Sequence, residues 1–183
     1  LGNIGKEIAR LGKAFGMKVV ATQRSARKVT RARNVDVIYP RQQLTRLLGE
    51  SDFVVMCLPW TPETDKMIGE RELRAMKPTA YLINTSRGPV VDEEALLTVL
   101  RERRIAGAAL DVYTQEPIPF PHPLLELENV TLTPHIASST EDGLWKMGVT
   151  VAEEILTALR GEKPRFMANP EVWERGTRVN RNC

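Results

Sequence analysis

Cysteine is scarce in this chain. Only Cys57 and Cys183 occur among 183 residues, one inside an apolar run and one at the last position. That argues against a disulfide framework and for a reducing, cytoplasmic setting. No apolar stretch approaches the roughly 20 residues of a membrane span, so no membrane partner is expected. Charge of one sign is not concentrated either. The 26 Lys and Arg against 23 Asp and Glu leave a net +3, too small and too scattered to require nucleic acid, though enough for a small anionic ligand. No His, Cys and acid cluster has metal-ligand spacing, which predicts no metal. There is no internal repeat. The chain opens on Leu1 rather than Met, inside what reads as a motif, so no targeting segment can be read.

What is present is a 42% hydrophobic content, ample for a globular core. It is arranged as short apolar runs alternating with helical patterns, the signature of parallel strands joined by crossover helices. Strands are expected at residues 18–23, 35–39, 53–58, 80–84, 106–111 and 130–133, and helices at 4–15, 42–48, 70–76, 92–103 and 140–159. The fold class is α/β, a doubly wound parallel sheet covered on both faces. Residues 1–161 are expected to form this domain. In residues 162–183 the composition turns to Pro, Arg and Asn, a tail that either wraps a partner domain outside this chain or is loose. The proline-dense stretch 116–123 has to be a loop, because each Pro removes a backbone donor and fixes φ.

Leu1-Gly2-Asn3-Ile4-Gly5 reads as the tail of a GxGxxG turn whose first Gly and preceding strand are missing. Such glycines let backbone approach a pyrophosphate at a helix N-terminus, where free N–H groups favour negative charge. Two glycines ahead of a helix are equally a plain tight turn. The second strand ends Thr22-Gln23-Arg24-Ser25, with Arg27 and Lys28 close behind. An acid there would accept from adenosine ribose hydroxyls; Gln23 instead leaves Arg24 and Ser25 to suit a 2′-phosphate, unless this is only a solvated basic turn.

Three pieces each follow a predicted strand: Asn84-Thr85-Ser86-Arg87-Gly88, Asp111-Val112-Tyr113-Thr114-Gln115-Glu116-Pro117, and Thr133-Pro134-His135-Ile136-Ala137. All therefore gather at one sheet edge, where ligands bind in open parallel sheets. An Arg, a Glu and a His delivered there can converge on one substrate. Cys57 reads as a small hydrophobe in a buried strand, His122 as a loop residue between two prolines, and Trp60 as either a pocket wall or core packing.

Across residues 1–164 the sequence resembles the D-isomer-specific 2-hydroxyacid dehydrogenase family, on the glycine turn, Leu58-Pro59 with Thr61-Pro62-Glu63-Thr64, residues 84–92, 109–117 and 133–137. The resemblance implies a Rossmann-type domain lacking its first strand, and a cofactor, NADP or NAD with NADP favoured. It implies cofactor contacts from Gly2, Asn3, Ile4, Gly5, Gln23, Arg24, Ser25, Leu58, Pro59, Thr64, Thr85, Ser86 and Asp111. Arg87 would hold the substrate carboxylate, His135 would exchange the proton, and Glu116 would bond the other imidazole nitrogen. The implied reaction is hydride transfer between NAD(P)H and a small 2-oxo acid, glyoxylate or hydroxypyruvate, in a homodimer of full-length chains. Elementary chemistry agrees: a fixed guanidinium orients a 2-oxo acid and stabilises charge growing on its oxygen, and imidazole beside a carboxylate supplies a proton near neutral pH. Phosphoglycerate dehydrogenase is the alternative enzyme, and a dinucleotide-sensing corepressor-like binding protein the alternative class. Without its first strand and partner domain the fragment is expected to be inactive.

Overall fold

The computed structural model describes residues 1–174; Cys183 and the end of the expected tail lie outside the described residues. The chain divides into two compact units, one of residues 1–136 and a second beginning at Ala137.

In the first unit, α1 (Asn3–Ala14) presents an apolar stripe and buries Ala9. It ends where Gly16 adopts φ +74° and the amides of Gly16 and Met17 return to the carbonyls of Lys13 and Gly12, a glycine stop that an L side chain would strain. β1 (Val20–Thr22) then pairs in parallel with β3 (Val35–Tyr39), Val20 opposite Val37. Between them along the chain, though at the far side of β3 in the sheet, lies a strand that the sequence reading missed. β2 (Thr30–Ala32) is exposed at all three positions and so shows no apolar alternation to read. It pairs antiparallel with β3 through a turn in which Asn34 has φ +62°.

After α2 (Leu44–Glu50) the second sheet begins. β4 (Phe53–Met56), β5 (Tyr81–Asn84), β6 (Gly107–Leu110) and β7 (Val130–Leu132) run in parallel, in that order. α3 (Glu70–Ala75) and α4 (Glu93–Arg101) lie on the crossovers. α4 starts where the Asp92 carboxylate accepts from the Ala95 amide and Glu93 and Glu94 meet the positive end of the helix. One hydrophobic core joins these elements, with Leu48, Leu73, Leu82, Leu100 and Ile105 fully buried.

The α/β doubly wound class holds, with two corrections. The single expected sheet is two, β1-β3-β2 and β4-β5-β6-β7, because β1 and β4 each have a strand partner on one side only. A doubly wound order places a strand between two such flanks, and no strand among the described residues takes that place. The buried strand expected at 53–58 is shorter and less covered. Phe53 is 57% exposed and stacks on Tyr81 at 6.0 Å, and Cys57 lies beyond the strand end, half-buried.

The second unit contains α5 (Glu141–Leu159) and α6 (Glu171–Glu174). α5 starts on the Thr140 hydroxyl, which accepts from the Gly143 amide. It buries none of its residues; Leu144, Trp145, Val151 and Ile155 all stay more than half exposed, so the apolar stripe legible in the sequence has no core of its own to fill.

Candidate active site

The glycine turn opens α1. Gly2 is its N-cap, no side chain caps the helix, and its first turn carries no acid, so the amides of Asn3, Ile4 and Gly5 are free of intrahelical partners at a positive helix end. A Cβ on Gly2 would meet nothing within 4 Å, which leaves room for a bulky anion. A Cβ on Gly5 would stand 3.5 Å from Leu1 Cδ1 and 3.9 Å from Cys57 Cβ, so Gly5 faces the packing side. This fits a pyrophosphate. Burial pushes the Cys57 thiol up, which favours its neutral form.

After β1, Gln23 Nε2 donates to Ser25 Oγ at 3.2 Å, and Arg24 and Ser25 are exposed. The structure adds a carboxylate here that the sequence reading passed over. Glu63 is held below the ordinary range first by the Thr61 hydroxyl and its own backbone amide, then by the charges of Arg24 and Arg41, so it shares the field of both arginines. Arg41 also donates to the Glu63 carbonyl. The segment after Leu58 is pinned by Thr64, whose hydroxyl donates to the Pro59 carbonyl at 2.8 Å and accepts from the Thr61 amide at 2.8 Å. Trp60 is 56% exposed and its indole N–H donates to Asp65 at 2.8 Å, which excludes the core-packing reading.

Arg87 stands on a turn built by Asn84, a residue quoted in the motif but given no role from sequence. Buried at the end of β5, Asn84 accepts from the Ser86 amide (3.0 Å) and hydroxyl (2.8 Å) and donates to the Arg87 carbonyl (3.0 Å). These bonds consume the polar side chains of Asn84 and Ser86 internally and leave Arg87 and Thr85 exposed at the strand end. Gly88 then passes so close to the next loop that a Cβ would lie 1.9 Å from the Tyr113 carbonyl oxygen.

The second and third of the strand-end pieces meet directly. Glu116 Oε2 lies 2.7 Å from His135 Nδ1, while Glu116 Oε1 accepts from the Tyr113 amide at 3.0 Å. Burial works against the charged carboxylate of Glu116. The hydrogen bonds from His135 and the Tyr113 amide and the charges of His135 and Arg87 outweigh it, holding the group below its ordinary value. Arg87 is thus electrostatically part of the same cluster. His135 itself sits at φ +55°, a left-handed conformation that costs an L residue roughly 1–2 kcal/mol and persists only where surroundings enforce it. Asp111 does much of the enforcing. Its buried Oδ1 accepts from the Thr133 hydroxyl at 2.5 Å and the Ile136 amide at 2.9 Å, on either side of the histidine. Tyr113 adds an O–H bond to the Thr133 carbonyl at 2.8 Å; burial and then the Asp111 charge push its phenol up, so it donates as the neutral group.

The fold and the site together define an α/β domain of the dinucleotide-binding type, with an open helix N-terminus and an acid-paired histidine at the strand carboxyl ends. The comparisons agree. Residues 1–137 match the profile described as D-isomer specific 2-hydroxyacid dehydrogenase, NAD binding domain, and the chain belongs to that family. It is 48% identical over 172 residues to a glyoxylate reductase of Korarchaeum cryptofilum, covering 94% of this chain and 51% of the relative. A glyoxylate reductase of Thermofilum pendens is 44% identical over 175 residues, covering 94% and 50%. Among solved structures, an NADPH-dependent glyoxylate/hydroxypyruvate reductase of Sinorhizobium meliloti in complex with NADP and malonate superposes with a TM-score of 0.75 at 34% identity, covering 86% of this chain and 47% of that one. An NAD complex of a D-isomer specific 2-hydroxyacid dehydrogenase from Lactobacillus delbrueckii ssp. bulgaricus gives 0.79 at 34% identity, covering 92% and 54%. The chain spans about half the length of the curated relatives it matches. Among the described residues no helix is long and apolar enough to cross a membrane.

Proposed function

We propose that the protein to which this chain belongs reduces a small 2-oxo acid, glyoxylate or hydroxypyruvate, with NADPH or NADH. The observation that carries the reading is the 2.7 Å contact of Glu116 with His135 Nδ1, with the Arg87 charge beside it. The relatives named as glyoxylate reductases support the substrate class. When bound, the cofactor supplies a hydride to the keto carbon. With Nδ1 engaged by Glu116, the Nε2 of His135 is the nitrogen left to protonate the oxygen that gains charge. Arg87 pairs with the substrate carboxylate and favours that charge as it grows. The amides of Asn3, Ile4 and Gly5 would hold the pyrophosphate, and the segments around Leu58-Pro59, Thr64, Thr85, Ser86 and Asp111 would border the nicotinamide ribose half. In this reading residues 1–161 are the nucleotide-binding domain, residues 162–183 lead back to a substrate domain, and the full-length protein works as a cytoplasmic homodimer.

Cofactor choice is the finer part. Gln23 cannot repel a 2′-phosphate, and Arg24 with Ser25 offers charge and donors, which supports NADP. Glu63 opposes this by sharing the field of Arg24. The test is turnover of the full-length protein with glyoxylate and hydroxypyruvate. His135→Ala and Arg87→Ala should each lower kcat/KM by a factor on the order of 10² or more. Near wild-type turnover in both variants would overturn the reaction centre, and a full-length protein that binds dinucleotide without turning over a 2-oxo acid would be a sensor instead.

A further inference from the structure

The peptide joining Tyr113 to Thr114 is wedged from two sides. On one side Gly88, next to Arg87, leaves no room: a Cβ there would stand 1.9 Å from the Tyr113 carbonyl oxygen and 2.5 Å from the Thr114 nitrogen. On the other side Glu93, the first residue of α4, accepts from the Thr114 amide through Oε2 at 3.4 Å. The other oxygen of Glu93 faces His122 Nε2 at 3.3 Å, with both side chains largely covered, 24% and 13% exposed. His122 Nδ1 meanwhile accepts from the Leu124 amide at 3.3 Å and caps the 3-10 turn Pro123–Glu126. A ring nitrogen that accepts has no proton, so the neutral ring carries its proton on Nε2, the nitrogen that faces Glu93. Glu93 thus lies against the His122 ring on one side and accepts from the Thr114 amide on the other. Beyond that donor, the Tyr113 amide holds Glu116, and Glu116 holds His135.

We infer that Glu93 and His122 are positioning residues of the reaction centre, acting through the 113–116 turn to keep Glu116 against His135. This rests on the proposed role of His135. His122 remains the loop residue that its flanking prolines suggested, and in this reading it also steadies Glu93. A peptide gripped between backbone and a single carboxylate transmits displacement, because Gly88 offers no side chain that could yield. The groups around the His135 imidazole are Glu116 in direct contact, Arg87 through its charge on Glu116, and Asp111 and Tyr113 beneath the same loop.

Two substitutions of His122 separate its two nitrogens. Asn places a polar atom where Nδ1 is and keeps the cap without reaching Glu93. Gln places an amide N–H where Nε2 is and keeps a donor facing Glu93 without the cap. In the full-length enzyme with glyoxylate and NADPH, His122→Asn should lower kcat about three- to tenfold, the scale of one lost hydrogen bond. It should move the imidazole-dependent limb of the pH–rate profile to lower pH and leave the KM for NADPH unchanged. His122→Gln should keep the wild-type limb even where its Tm falls. Glu93→Gln, whose single amide oxygen cannot face both the Nε2–H and the Thr114 amide, should behave as His122→Asn does and makes the same test if that variant does not fold. A lowered Tm in His122→Asn or Glu93→Gln with wild-type kcat and pH profile would overturn the inference. His135→Ala is the control for the underlying reading: if it retains turnover, reading and inference fall together; if it is inactive, the His122 and Glu93 results judge the inference alone.

Discussion

The left-handed backbone at His135 can be separated from the chemistry of its side chain by comparing two variants that both remove the imidazole. His135→Ala and His135→Gly lose the same bond to Glu116, so that loss cancels between them. What differs is the cost of φ +55°, roughly 1–2 kcal/mol for Ala and near zero for Gly. The greater freedom of Gly in the unfolded chain takes back about 0.4–1 kcal/mol. At the middle of those ranges the Gly variant should therefore be the more stable by about 0.8 kcal/mol, although Gly is ordinarily the worse choice. Thermal melts of the two full-length variants, run side by side at neutral pH, should show the Gly protein melting higher by roughly 1–3 °C, with neither turning over glyoxylate. An Ala variant as stable as the Gly variant, or more so, would mean that residue 135 does not occupy the left-handed region in the folded protein. The account of Asp111 as enforcer of that conformation would then fail as well.

Removing the enforcer is the complementary experiment: Asp111→Ala leaves the Thr133 hydroxyl and the Ile136 amide without their acceptor, so stability should fall by about 2–4 kcal/mol in denaturant titration and kcat by more than tenfold, whereas an unchanged kcat would free His135 from this dependence. For the cofactor, kcat/KM should favour NADPH over NADH about tenfold or more, Gln23→Asp should reverse the preference and Glu63→Gln should strengthen it; equal values in all three proteins would mean that this turn does not read the 2′ position. In acid, Glu50 is the group to watch. Hydrogen bonds from Lys18 first and Tyr39 next lower it from 4.5 to about 2, so its contribution is complete above the ordinary value and is lost as pH falls toward the folded one. Tm measured between those two pH values should fall less steeply in Glu50→Gln than in wild type, and parallel curves would refute the assignment.

The order of elements, the strand-end placement of Arg87, Glu116 and His135 and the glycine turn were legible in the sequence, because each depends on local pattern: apolar runs, helical spacing, and residues that follow a strand. β2 was not legible, since all of its residues face solvent and its pairing is set by the turn at Asn34 and by the neighbouring strand. The division into two sheets was hidden for a related reason: pairing is a property of which strands are present side by side, not of any one segment. The apolar stripe of α5 was read correctly as a stripe, yet burial is decided by what lies opposite, and its own unit offers it no core.

By itself, then, the sequence determined the α/β class, the family resemblance and the three residues that could form an acid–base centre, since residue type and spacing are enough for those. Only the tertiary structure decided that Glu116 touches Nδ1, that Asp111 and Tyr113 hold the loop that strains His135, and that Gly88, Glu93 and His122 converge on one peptide. These contacts join residues far apart along the chain, and their energies depend on distance and burial that no local pattern encodes.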